Sequence, residues 1–140
     1  MGCSCTREEA KLIISQQVGK DRFFIKLYIP NSNTIKILYY ETKLDHISVI
    51  ELFNLIFFCS KWADEVDANF LSIYNKKKEA FDYKIQRLFG FEWDEEQEID
   101  QGKNWTVYIN GTKENLSVLF GYNRIINKRD VIELKYENNI

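Results

Sequence analysis

The chain has 140 residues, with 19 basic and 21 acidic side chains and a formal net charge of −2. That length suits one domain, and a hydrophobic content of 45% with 15% aromatics is enough for a packed core. The charge balance argues against general nucleic-acid binding, and no apolar run reaches the ~18 residues of a membrane span. No apolar stretch follows Met1 as a secretory signal would, so the chain is expected on the cytosolic side. The sequons at Asn104, Asn110 and Asn115 are then accidents of an Asn-rich sequence, and three cysteines imply no disulfide framework.

The first six residues, Met1-Gly2-Cys3-Ser4-Cys5-Thr6, fit the N-myristoylation pattern M-G-x-x-x-[ST], with Gly2 as acceptor after removal of Met1. One myristoyl chain binds membranes only marginally and reversibly, so stable anchoring needs a second signal. Cys3 and Cys5 supply two thiols for S-palmitoylation. The start resembles the acylated N-termini of Src-type kinases and G-protein α subunits, over these six residues alone. A zinc site is not expected. The Cys-x-Cys pair has only Cys59 and His46 as further partners, and no second close pair exists.

Thr6 to Arg22 reads as a helix. Thr6 and Glu9 can form a capping box. Ala10, Ile13, Ile14 and Val18 keep helical spacing, and Gly19 supplies a stop. Arg7, Lys11 and Lys20 would face headgroups in an anchored chain, but Glu8 and Glu9 dilute that face. Phe23–Ile29 and Thr34–Tyr40 are β-rich runs joined by Pro30-Asn31-Ser32-Asn33, which predicts a hairpin. Asp45 to Ala63 is the strongest helix, with Ser48 and Glu51 as a second capping pair. Its run of Val49, Ile50, Leu52, Phe53, Leu55, Ile56, Phe57, Phe58 and Cys59 leaves almost no polar face. It is expected to be covered on most sides and to bury Cys59.

Residues 64–103 are less legible. Leu71, Tyr74, Phe81, Ile85 and Leu88 keep approximate three- and four-residue spacing around Lys76-Lys77-Lys78-Glu79-Ala80, which predicts a helix over Asn69–Phe89. A hairpin of Phe70–Tyr74 and Phe81–Leu88 is the alternative, and Gly90 would end either. Trp93–Gly102 carries Asp94, Glu95, Glu96, Glu98 and Asp100 and is expected to be an exposed loop. Trp105–Ile109 then alternates as a strand before the turn signal Asn110-Gly111. Leu116–Phe120 is a short apolar run, 123–127 a small strand, Val131–Tyr136 a terminal strand and 138–140 a free tail.

Hairpin, core helix, strand, turn, small strand and terminal strand is the order of the ubiquitin-like β-grasp family, which the chain resembles over about 23–62 and 104–137. Val107-Tyr108-Ile109-Asn110-Gly111 looks like the third strand and its glycine turn. Asn115-Leu116-Ser117 resembles the start of the final crossover, and Asp130-Val131-Ile132-Glu133-Leu134 is similar to the closing strand. The resemblance implies an α+β fold, a mixed sheet packed on one core helix. Here it would carry an anchor segment with a helix over 1–22, a domain over 23–137, and an insertion at about 64–103 before the third strand. Tyr108 falls where ubiquitin carries the centre of its exposed hydrophobic patch, so it is a candidate partner contact. The chain ends Glu137-Asn138-Asn139-Ile140 without Gly-Gly, so conjugation through the C-terminus is not expected.

No nucleotide, metalloprotease or hydrolase motif is present. A Cys59–His46 dyad is not expected, because an apolar helix disfavours the thiolate. No catalytic residue, metal or cofactor is assigned. The expectation is a non-catalytic protein-interaction module, lipid-anchored at the cytosolic face of the plasma membrane or an endomembrane. The alternatives are a soluble adaptor or subunit of a larger complex, and a small enzyme with a dispersed site.

Overall fold

The structure, a computed structural model, describes residues 21–93 and 102–138. Gly2, Cys3, Cys5, most of the expected N-terminal helix and residues 94–101 of the acidic stretch lie outside the described residues. Arg22 does not end a helix as expected but opens strand β1, Arg22–Tyr28. β1 pairs antiparallel with β2, Ile35–Glu41. The turn between them uses its polar residues as the sequence suggests. Ser32 Oγ donates to Ile29 O at 3.2 Å and accepts from Thr34 N at 3.1 Å, and Asn31 takes φ 60°, which Asn tolerates.

The core helix is shorter than expected. His46–Ser48 forms strand β3, and the helix α1 runs only from Val49 to Phe58. Ser48 is its N-cap, accepting from Glu51 N at 3.1 Å. Ser60 Oγ donates to Ile56 O at 2.5 Å near the other end. Ala63 belongs to a separate short helix, α2, Ala63–Val66.

The largest departure follows. Residues 69–89 are not the expected helix but the alternative hairpin: β4, Asn69–Asn75, and β5, Ala80–Leu88, pair antiparallel. A two-residue turn of Phe89 and Gly90, both at positive φ, leads to β6, Phe91–Glu92. The helical spacing of Leu71, Tyr74, Phe81, Ile85 and Leu88 coexists with a period of two. Phe70 and Tyr74 oppose Ile85 and Phe81 on one side, and Asn75 Oδ1 accepts from Lys77 N and Lys78 N to close the turn. Lysine-rich helix propensity is a weak prior beside that packing.

β7, Lys103–Ile109, turns at Asn110-Gly111 into β8, Thr112–Glu114. Both turn residues have positive φ, as a two-residue hairpin loop requires. Leu116–Phe120 lies within a helix, α3, Leu116–Gly121, whose N-cap Asn115 accepts from Val118 N. The small strand is β9, Ile125–Asn127, paired with β3. The last strand, β10, spans Ile132–Asn138, so Asn138 is not part of a free tail.

The fold is α+β with a mixed five-stranded sheet in the order β2-β1-β10-β7-β8, where β1 and β10 are parallel and every other pair antiparallel. α1 presents Val49, Leu52, Phe53, Ile56 and Phe57 to the core, positions that recur every three or four residues. Ile25, Leu27, Val107, Ile109, Ile132 and Leu134 join the same buried cluster from the sheet. Full burial of such side chains stabilises the fold by about 1.5–3 kcal/mol each. The hairpin β4–β5 closes the core: Phe70 packs on Phe53 and Phe57 at ring separations of 6.1 and 5.8 Å.

Candidate functional site

α1 is less covered than the expected burial on most sides. Glu51, Asn54 and Phe58, spaced as one helix stripe, face outward, and Ile50 is also exposed. Cys59 follows at the C-cap and is exposed rather than buried. The helix ends there, and the chain turns away before the thiol can be enclosed. His46 lies before the N-terminus of α1 and Cys59 at its C-terminus. A ten-residue helix is about 15 Å long, so the two side chains do not form a dyad. Among the described residues no cluster of His, Cys, Asp and Glu could hold a metal ion.

Beside α1, helix α3 leaves Val118 and Tyr122 in solvent, Tyr122 at 83% exposure. These two sit one turn apart, joined by the bond from Tyr122 N to Val118 O. Ile125 of β9 is exposed too. The elements adjoin: Val49 N donates to Arg124 O at 2.8 Å, and Phe120 of α3 meets Phe53 of α1 at 5.8 Å between rings. Ile50, Phe58, Val118, Tyr122 and Ile125 are thus exposed apolar side chains carried by adjoining segments, α1, α3 with its C-cap, and β9. Sequence reading missed them. The available signal was the Glu51–Asn54 stripe, which marks the wet face of α1 and leads on to Phe58.

Tyr108 lies on the other face of the sheet. It pairs across β7–β10 with Glu133 and across β7–β8 with Lys113. It is half-buried, its hydroxyl donates to Glu137, and Lys135 Nζ lies 4.7 Å from its ring centre. The hydrogen bond to Glu137, then burial, then the charges of Glu137 and Glu133 push its pKa up to about 12. Nearby, Lys26 faces Glu133 at 3.9 Å, and Tyr28 also donates to Glu133.

Between β5 and the β7–β8 pair lies an open cleft of about 320 Å³, lined in part by Lys78, Lys84, Lys113, Asn104, Thr106 and Ser117. Lys78 pairs with Asp82 at 3.5 Å. The hydrogen bond from Asn75 holds the Asp82 carboxyl below its ordinary value against the opposing effect of burial, and Lys78 and Lys84 lower it further. Lys84 Nζ stands 3.9 Å above the Trp93 ring. Ser117 Oγ, which also lines the cleft, accepts from Tyr83 N at 2.8 Å and ties α3 to β5.

Comparison with known protein families, with characterised proteins and with solved structures finds no match. No described helix is long and apolar enough to cross a membrane.

Proposed function

We propose that the protein is a non-catalytic interaction module of ubiquitin-like β-grasp build, held at the cytosolic face of a membrane by acyl chains. Myristate on Gly2 and palmitate on Cys3 or Cys5 supply the anchor in this reading. The sheet order supports the β-grasp part: two hairpins flank a central parallel pair of first and last strands, and one helix packs across the sheet. The hairpin β4–β5 with β6 is then the insertion between core helix and third strand.

The observation that carries the docking role is the apolar surface of Ile50, Phe58, Val118, Tyr122 and Ile125. Large exposed apolar groups gathered on adjoining elements mark interaction sites more often than scattered ones do. Tethering raises local concentration, so a modest interface is enough. Tyr108 remains a contact on the opposite face, where its engaged hydroxyl leaves the ring edge to a partner.

Three measurements test the reading. Intact mass of the protein from its own cells should show a myristoyl group, and Gly2→Ala should move it from the membrane to the soluble fraction. Phe58→Ser with Tyr122→Ser should remove a defined set of co-purifying proteins at unchanged fold. An unmodified, soluble wild-type protein would overturn the anchor and leave the soluble adaptor; unchanged partners would overturn the docking surface.

A further inference from the structure

The tip of the β4–β5 hairpin combines two features that one ligand satisfies together. Its turn is Lys76-Lys77-Lys78-Glu79, all exposed. Flanking it are Ile73, Tyr74 and Phe81, which are 46%, 53% and 50% exposed. Tyr74 and Phe81 meet edge to face, 5.3 Å between ring centres. They sit on one side of the hairpin and Ile73 on the other, because Tyr74 opposes Phe81 and Ile73 opposes Asp82. The tip therefore carries an exposed apolar side chain on either side and is cationic at its end.

The charge extends inward. Lys78 also lines the cleft with Lys84 and Lys113. These five lysines stand among Glu79, Asp82 and Glu114, and Asp82 is paired with Lys78 and Glu114 with Arg124. The region is cationic in a chain whose net charge is −2. An apolar ligand would make no use of the lysine charges, and a soluble anion would leave the rings in water.

We infer that the hairpin tip docks on an anionic lipid bilayer, with Tyr74, Phe81 and Ile73 entering the interfacial layer and Lys76, Lys77 and Lys78 meeting the headgroups. Aromatic side chains with a polar end suit that layer, and lysine stems bury while their ammonium groups stay among phosphates. The cleft gives a headgroup room beside the tip, between Lys78, Lys84 and Lys113.

This inference rests on the proposed membrane location and adds an orientation to it. A second contact at the hairpin tip would set which surfaces face the bilayer, leaving the α1–α3 side for a protein partner.

The test uses the full chain produced without N-myristoyltransferase, so that its outcome is independent of acylation. Sedimentation with phosphatidylcholine vesicles is compared with and without phosphatidylserine. The expected result is binding to the phosphatidylserine vesicles only, weakened by salt. Each lysine near an anionic surface strengthens binding about fivefold, so Lys76→Gln/Lys77→Gln/Lys78→Gln together should weaken it about a hundredfold. Tyr74→Ser with Phe81→Ser should also weaken it, while the thermal melt of each variant confirms the fold. No binding to anionic vesicles, equal binding to neutral ones, or wild-type binding by either variant would overturn the inference. None of these outcomes alters the mass or fractionation result that decides the acyl anchor.

Discussion

The two long hairpins of the molecule are built alike and used differently. β1–β2 is sewn into the main sheet: β1 pairs on both sides and is buried at five consecutive positions from Phe23 to Leu27. β4–β5 belongs to a separate three-stranded sheet and is fixed at its base, where Phe70, Ile85 and Leu88 meet the core, while its far end stands in water. Apolar residues in the first hairpin hold the fold. In the second, the same residue types change role along the strand, from anchor at Phe70 to exposed contact at Tyr74.

That contrast can be broken by substitution. Leu27→Ala, at a fully buried position in β1, should destabilise the protein by about 2–5 kcal/mol in chemical denaturation, out of a total of about 5–15. Phe70→Ala should cost less, about 2 kcal/mol, because its ring is only half-buried among Phe53, Phe57 and Phe120. Asn115→Ala should cost about 1 kcal/mol by removing the N-cap of α3. The glutamine substitutions at Lys76, Lys77 and Lys78 should leave stability within about 0.5 kcal/mol, the usual range for surface changes. A large loss there would mean that the tip packs on the body.

A pH-dependent effect sharpens the comparison from the sheet's other face. Tyr108 has a pKa raised above that of an unfolded tyrosine, so the folded state holds its phenolic proton more tightly. The stability this contributes is complete below about pH 10 and is lost as pH rises from about 10 to about 12. Tyr108→Phe should remove that alkaline slope and change stability at neutral pH by about 1 kcal/mol or less. A steep loss at neutral pH would give Tyr108 a core role instead.

Much of the main sheet was legible because its signals are local. The hairpin turn at 30–33, Asn110-Gly111, and the alternation of Trp105, Val107 and Ile109 each specify geometry within a few residues. The Ser48 cap was legible for the same reason, but the start of α1 was not. His46–Ser48 becomes a strand only because Ile125–Asn127, far along the chain, lies beside it. At 69–88 the expected helix failed and the alternative hairpin held, because two periods compete: Leu71, Tyr74 and Ile85 satisfy a helical pattern while Phe70, Tyr74, Phe81, Tyr83 and Ile85 satisfy a strand. Only packing on α1 and α3 decides between them. The apolar surface at Phe58, Val118 and Tyr122 was hidden for a related reason: an apolar run does not show which of its faces will lack a neighbour. Gly2, Cys3, Cys5 and Tyr108 came from motif and resemblance, and of these the structure describes Tyr108 alone.

The parallel pairing of β1 with β10 also governs how the protein is made. Residue 25 meets residue 132 in the middle of the sheet, so the central seam joins segments synthesised far apart in time. Contacts of such long sequence separation slow folding, because chain closure precedes any reward from pairing. Until β10 leaves the ribosome, β1 has β2 on one side and an open, strongly apolar edge on the other. Such an edge invites pairing with another chain. Newly made copies on crowded polysomes should therefore be most prone to aggregate in that interval, and chaperone binding should peak just before β10 emerges.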